Sequence, residues 1–304
     1  MAGIPQVDFE PFLGSGGAAR RRVAAEIRAA CSEYGFLNVA NLPLPEGLLQ
    51  RVSSRAREFF ALPREVKEAI GRSELDVISG YVGVAVEHLD TKQPGDLKES
   101  FSLNQASLPL LDRWNIPVPG FRETVLELHD AGARACAALV QAMALSLDAP
   151  EDFFADKHAP HASTVRFFHY PPVESRPDAG QLRAGSHSDY GTVTLVFQDA
   201  VEGLEALVDG EWLTVPAIPG TVTVNVADLL SRWTNGIYRS PQHRVALPAT
   251  DLRQSRYSTV FFYNPNSQVT VRCIDSCYND DRPRQHPPIV AGEFLRQRRA
   301  AQYD

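Results

Sequence analysis

The chain has few cysteines, no long apolar run and no excess of basic residues. Four thiols, Cys31, Cys136, Cys273 and Cys277, are spread over 304 residues. That excludes a disulfide-stapled secreted scaffold and fits a reduced, cytoplasmic setting. Cys273 and Cys277 stand close together, but no second Cys/His pair follows at zinc-finger spacing, so they read as ordinary thiols. No stretch reaches the length needed to span a bilayer. The N-terminal Met1-Ala2-Gly3-Ile4-Pro5 lacks the basic and apolar regions of a secretory leader. A net charge of -7 argues against nucleic acid or an anionic membrane as partner. Internal repeats and low-complexity tracts are absent. The remaining balance, 44% hydrophobic and 22% charged, is that of an ordinary globular protein with one large domain or two small ones.

Residues 4–9 read as a short strand and Gly14-Ser15-Gly16-Gly17 as a turn. Between Ala18 and Phe36, Val23, Ala24, Ile27, Ala30, Cys31 and Tyr34 recur at three- and four-residue steps, the stripe of an amphipathic helix. Residues 35–39 turn into a strand, a second helix is predicted over 46–61, and Pro63 opens a third over 64–70. Residues 72–118 are less regular. Within them, 82–94 reads either as part of a lid or pocket wall or as a plain surface connection. The stretch 120–148 carries a broad apolar stripe from Val125 to Leu147, a scaffold helix. After Pro150 come short β-rich runs at 164–170, 192–197, 203–208, 211–215, 221–226, 243–247 and 256–264, with Asp209-Gly210 as a hairpin turn. That spacing suits a sandwich or barrel. Residues 291–301 read as a closing helix.

The stretch Gly185-Ser186-His187-Ser188-Asp189-Tyr190-Gly191 places an imidazole and a carboxylate two residues apart, so that in a strand they share a face. By itself a His-x-Asp pair is weak, because single histidines are more often structural than ligating. His243 supplies a third ligand, and two imidazoles with one carboxylate leave one side of an iron open. Thirteen residues later Arg256 and Ser258 share a strand face, and a guanidinium fork beside a hydroxyl suits a carboxylate.

In this order the motifs resemble the 2-oxoglutarate/Fe(II)-dependent dioxygenases of the isopenicillin N synthase-like superfamily. The resemblance rests on His187-Ser188-Asp189, His243 and Arg256-Tyr257-Ser258. It is supported by Tyr170-Pro171-Pro172, Gln198-Asp199, Gly203-Leu204, Val224-Asn225-Val226-Ala227-Asp228, Thr234-Asn235-Gly236 and Phe261-Phe262-Tyr263-Asn264-Pro265, and it runs from Ile4 to Leu295. It implies a mainly β fold with helices: a double-stranded β-helix, or distorted jelly roll, flanked by N-terminal helices and a long scaffold helix. Residues 1–118 would be an N-terminal helical and mixed region packed on the barrel, not independent. Residues 119–304 would hold the long helix, the jelly roll and the C-terminal helix.

The resemblance further implies Fe(II) on His187, Asp189 and His243, and 2-oxoglutarate held at its distal carboxylate by Arg256, Ser258 and Tyr170. With O2, such an enzyme oxidises a small organic molecule of specialised metabolism by hydroxylation, desaturation, cyclisation or epoxidation, releasing succinate and CO2. Asp189 occupies the position that related halogenases leave vacant, which favours oxygen chemistry. Phe101, Phe167 and Phe261 lie in stretches that border the iron in relatives and are the expected substrate contacts. Phe168 stands where many plant members have Asn, and Ala227 where glycine is common. The other histidines, His88, His129, His158, His161, His169 and His286, read as structural or surface residues. A monomer or weak homodimer is expected. Three alternatives stay open: a same-fold Fe(II) oxidase that does not consume 2-oxoglutarate, as in isopenicillin N synthase or aminocyclopropane-carboxylate oxidase; a non-catalytic binding or sensor protein; and a zinc hydrolase on the same three ligands.

Overall fold

The computed structural model describes residues 3–14, 16–71, 79–90, 92–173, 177–248 and 251–303. Among them the strands form one large sheet, one small sheet and a short ribbon. The large sheet runs in the order β1 (Gln6–Asp8), β2 (Phe36–Ala40), β10 (Thr221–Val226), β7 (Val193–Gln198), β12 (Arg256–Tyr263), β5 (Thr164–Tyr170), β4 (Glu99–Asn104) and β3 (Gly80–Val82). The small sheet runs β6 (Ala184–His187), β11 (His243–Val245), β8 (Leu204–Val208) and β9 (Glu211–Thr214), and β13 (Thr270–Val271) pairs with β14 (Ile289–Val290). The helices are α1 (Glu10–Gly14), α2 (Gly17–Glu33), α3 (Leu48–Phe60), α4 (Arg64–Glu68), α5 (Leu111–Trp114), α6 (Phe121–Ser146), α7 (Asp228–Trp233) and α8 (Ala291–Tyr303). The two main sheets make a distorted jelly roll, and α3 and α6 pack on the outer face of the large one.

Strand alternation divides the interior into two apolar cores. Along β12, Arg256, Ser258, Val260 and Phe262 point between the sheets, where they line a cavity. Phe261 and Tyr263 point the other way, into the core shared with α2, α3 and α6. The inter-sheet core holds Phe36, Phe168, Tyr170, Leu204, Ala206, Val245 and Val260. β12 is central, paired antiparallel with β5 (Arg256 opposite Tyr170) and with β7 (Ser258 opposite Gln198). On α6, Gly132 sits against the sheet: a Cβ there would meet the Phe261 ring at 2.9 Å, so glycine sets how closely the helix approaches. The Asp209-Gly210 turn has both residues at positive φ, 49° and 89°, and joins β8 to β9 as a two-residue hairpin.

The predicted strands and long helices appear near their expected bounds. The differences are local. Glu10–Gly14 is helical, between the strand read at 4–9 and the turn read from Gly14, where no element is expected. Ser15 of that turn lies outside the described residues, as do 72–78 of the irregular stretch. The rest of that stretch supplies β3 and β4 to the large sheet. Their short runs, Gly-Tyr-Val and Glu-Ser-Phe-Ser-Leu-Asn, are recruited by pairing, β4 with β5 and β3 with β4, rather than marked by an apolar pattern.

Three histidines gather behind β12. His158 stacks on Tyr263 with centroids 4.3 Å apart; its Nδ1–H donates to the Phe154 carbonyl and its Nε2 accepts from Thr192 Oγ1, both at 2.9 Å. His129 stacks on His161 at 5.3 Å. Burial holds His129 and His158 down to about 4. Both are neutral in the folded chain and take up a proton on unfolding once the pH is below the ordinary histidine value. Stability should therefore fall by about 1.4 kcal/mol per pH unit for each, between roughly pH 6.5 and 4. Thermal denaturation from pH 7.5 to 4.5 should show this slope, and His129→Leu should make it shallower; an unchanged slope would show that His129 does not contribute.

Candidate active site

His187 ends β6 and His243 begins β11, and the two face each other across the strand pair with ring centroids 4.3 Å apart. The Nδ1–H of His187 donates to the Gly185 carbonyl (2.8 Å) and that of His243 to the Pro241 carbonyl (3.2 Å). Carbonyl oxygens only accept, so each ring is left with its Nε2 lone pair free. Those nitrogens lie 4.0 and 3.7 Å from Asp189 Oδ1. The other Asp189 oxygen accepts from Thr194 Oγ1 (2.6 Å) and Asn225 Nδ2 (2.7 Å). Three unpaired donors thus face one point, all within 4.8 Å of one another, and among the described residues this is the one such group. Asp189 does not share a strand with His187 as the sequence spacing suggested. It lies past the end of β6, and its hydrogen bonds to Thr194 and Asn225 aim it inward.

The electrostatics favour a cation. Burial, and then neighbouring His243, hold His187 neutral, down to about 3. Burial works against the Asp189 carboxylate, but the two imidazoles and the hydrogen bonds from Asn225 and Thr194 outweigh it and keep its pKa below the usual value. Two imidazole nitrogens and one carboxylate oxygen suit a divalent transition metal.

An outer ring ties the loops together. Asp228, at the start of α7, accepts from Ser240 (2.7 Å) and from Ser188 (3.3 Å), the residue between His187 and Asp189. Arg298 of α8 reaches the same pair, 3.1 Å from Asp228 and 2.9 Å from Ser188 Oγ.

A cavity runs from this cluster between the sheets. At its far end lie Tyr170, Arg256 and Ser258. Arg256 is fully buried. It donates to the Val201 carbonyl (3.1 Å), Gln198 Oε1 (2.9 Å) and Ser258 Oγ (3.3 Å), and its guanidinium carbon stands 4.9 Å over the Tyr170 ring. No carboxylate pairs with it among the described residues, so its charge faces the cavity uncompensated.

Comparison with known proteins decides the family. The chain is 32% identical to the 2-oxoglutarate-Fe(II) type oxidoreductase hxnY of Emericella nidulans, over 96% of this chain and 88% of the relative. It belongs to the 2OG-Fe(II) oxygenase superfamily. The profile of that superfamily matches residues 161–265 of this oxygenase, and that of the non-haem dioxygenase in morphine synthesis N-terminal region matches residues 4–116. Proline hydroxylase buaE of Petromyces alliaceus is 33% identical, over 90% of this chain and 91% of the relative. A full-length Neurospora crassa protein, solved in complex with alpha-KG and thymine, superposes with a TM-score of 0.88 at 28% identity, covering 99% of this chain and 97% of the other. The oxygenase uses Fe(II), 2-oxoglutarate and O2.

The aromatic residues divide by strand parity. Phe101, Phe167 and Phe261 of the oxygenase are fully buried on the helix side of the large sheet and do not line the cavity. Phe168 and Phe262, their strand neighbours, do. Phe168 fills the place of the plant asparagine with a ring beside Tyr170. Ala227 has an ordinary φ of -108° and needs no glycine. In the 82–94 segment, Leu89 lines the cavity, as does Lys98 just beyond it, and Asp96 holds the Gly185 amide at 2.8 Å; residue 91 lies outside the described residues. The pocket-wall reading therefore fits better than a plain connection.

His169 lies in a buried network in which Glu99 accepts from Lys67 (2.7 Å), Tyr81 and His169 (2.7 Å), linking α4, β3, β4 and β5. Sequence reading gives no role to Thr194, Ser240 or Arg298, and a hydroxyl three residues before His243 is the one available signal. Asn225→Ala should weaken Fe(II) or Co(II) binding about 10- to 100-fold, measured by chelator competition, with the fold retained. Unchanged affinity would show that Thr194 alone holds Asp189.

Proposed function

We propose that His187, Asp189 and His243 hold the iron and that Arg256, Ser258 and Tyr170 hold the distal carboxylate of 2-oxoglutarate, for oxidation of a small organic substrate. One observation carries this reading: a single cavity joins three unpaired metal donors to a buried guanidinium without a carboxylate. Thr194, which supports Asp189, and Gln198, which supports Arg256, are four residues apart on β7, about 13 Å of strand. A five-carbon diacid fits that span once the side chains reach in from both ends.

When bound, the iron with 2-oxoglutarate supplies O2 activation, coupled to release of succinate and CO2. The residues of the chain bind, orient and exclude water. Gly185 and Pro241 fix the imidazole tautomers, Thr194 and Asn225 leave one Asp189 oxygen for the metal, and Gln198, Val201 and Ser258 fix the Arg256 fork. Val196, Leu204, Val245, Val260 and Phe262 line the cavity with apolar surface that keeps it dry. Leu89 and Lys98 also line the cavity and would contact the substrate. The outcome is hydroxylation, desaturation, cyclisation or epoxidation, in specialised metabolism, and relatives that bind thymine or hydroxylate proline support a small substrate. Residues 1–118 act as a region packed on the barrel, not a separate domain. Among the described residues no helix is long and apolar enough to cross a membrane. With a net charge of -7, a cytoplasmic monomer or weak homodimer without nucleic acid is the matching reading.

Anaerobic addition of Fe(II) and then 2-oxoglutarate to the apoprotein should give a weak visible charge-transfer band that saturates at one equivalent. Iron binding without a band would favour the oxidase that does not consume 2-oxoglutarate, and succinate assays would separate the two. His187→Ala or Asp189→Ala should abolish turnover through loss of iron; full activity in either would refute the ligand assignment. Arg256→Ala should raise the Kd for 2-oxoglutarate about 10- to 100-fold, since it removes hydrogen bonds to a charged group.

A further inference from the structure

Among the described residues Arg183 is, with Arg256, one of two fully buried guanidinium groups. It immediately precedes Ala184, which lines the cavity wall. One nitrogen, Nη2, donates to the Gln254 carbonyl, while Nε and Nη1 have no partner among the described residues. Some partly buried arginines are ion-paired, Arg166 with Glu87 and Arg244 with Glu205, while the less deeply buried Arg28 and Arg232 bond backbone carbonyls. Arg183 has no carboxylate within ion-pairing distance among the described residues. Burial, then the like charge of Arg256, push its pKa below that of an ordinary arginine, with Tyr170 and Asp199 also in electrostatic reach. Asp199 is committed elsewhere: Oδ2 accepts from the Tyr257 amide (2.7 Å) and Arg57 (3.3 Å), and Oδ1 from the Val201 amide (3.0 Å). Two desolvated guanidinium groups therefore feel each other's charge, and neither has a carboxylate within ion-pairing distance among the described residues. Burying one such charge unpaired is strongly unfavourable, and two of like sign repel.

We infer that Arg183 is a second cation of the 2-oxoglutarate site, acting through its field on the distal carboxylate that Arg256 grips and so selecting dicarboxylate over monocarboxylate 2-oxo acids. This rests on the cosubstrate reading above. The fork of Arg256 supplies the direct contact. Arg183, behind it, makes the pocket too positive for an apolar chain end and complementary to an anion.

The test compares binding of 2-oxoglutarate and of 2-oxovalerate, which has a methyl in place of the distal carboxylate, to Co(II)-loaded wild type, Arg183→Met and Arg183→Lys. In Arg183→Met, 2-oxoglutarate should bind at least about tenfold more weakly, with 2-oxovalerate unchanged, so the ratio between the two acids falls. Arg183→Lys should recover part of that ratio. The ligand-free Arg183→Met protein should melt no lower than wild type, because an unpaired buried charge has been removed. An unchanged ratio in Arg183→Met overturns the inference. Equal weakening of both acids with a lower melting temperature also overturns it, and marks Arg183 as a structural donor to Gln254. Wild type that does not prefer the diacid overturns the cosubstrate reading itself, and this inference with it.

Discussion

The register of β12 is the constraint on which the molecule depends. The strand lies in the middle of the large sheet, and its two faces meet different materials: packed aromatic rings and helices on one side, a ligand cavity on the other. A slip of one residue would put Arg256 and Ser258 against α6 and turn Phe261 and Tyr263 into the cavity. Pairing on both edges, with β5 and β7, holds the strand against that slip. The same pairing puts Tyr170 and Gln198 beside Arg256 and Ser258 and carries Thr194 towards Asp189. The Arg256 side of the site is thus largely a by-product of one sheet being in register, while His187 and His243 are set by the pairing of β6 with β11 in the other.

Within that frame the interior keeps charges that it does not neutralise. Elsewhere the chain pairs its buried ions, as in the Lys67, Glu99 and His169 network and the Lys98–Asp96 contact. Along the cavity it does not: the wall presents a carboxylate beside two imidazole lone pairs, and the Arg256 guanidinium with no carboxylate partner among the described residues. The uneven satisfaction of buried polar groups locates the site as clearly as the cavity does.

How much of this could be read from the sequence follows from how local each feature is. The helices α2, α3 and α6, the strands β5 and β12 and the Asp209-Gly210 hairpin carry their own periodicity or turn chemistry and were legible. β6, Ala-Gly-Ser-His, has no apolar pattern, and β11 holds it in place. His187, Asp189 and His243 are singled out by residue type and spacing, and the structure brings the three together, although Asp189 stands off the strand. Phe167 and Phe261 lie one residue away from the cavity-lining Phe168 and Phe262, because an all-apolar run such as Val-Phe-Phe does not say which ring faces inward. Asp228 was visible only as part of a motif. The significance of Arg183 lies in the partners it lacks, which no linear pattern displays.

The contact of Arg298 with Ser188 and Asp228 has a consequence for the far end of the chain. Ser188 is 110 residues from Arg298 in sequence yet hydrogen-bonded to it, and it stands between two of the three donors. α8 is therefore a strut under the donor cluster rather than a trailing segment. A tag, fusion or proteolytic nick in this helix acts at the cluster, and fraying of its last turns and loosening of the donors are one event seen from two ends.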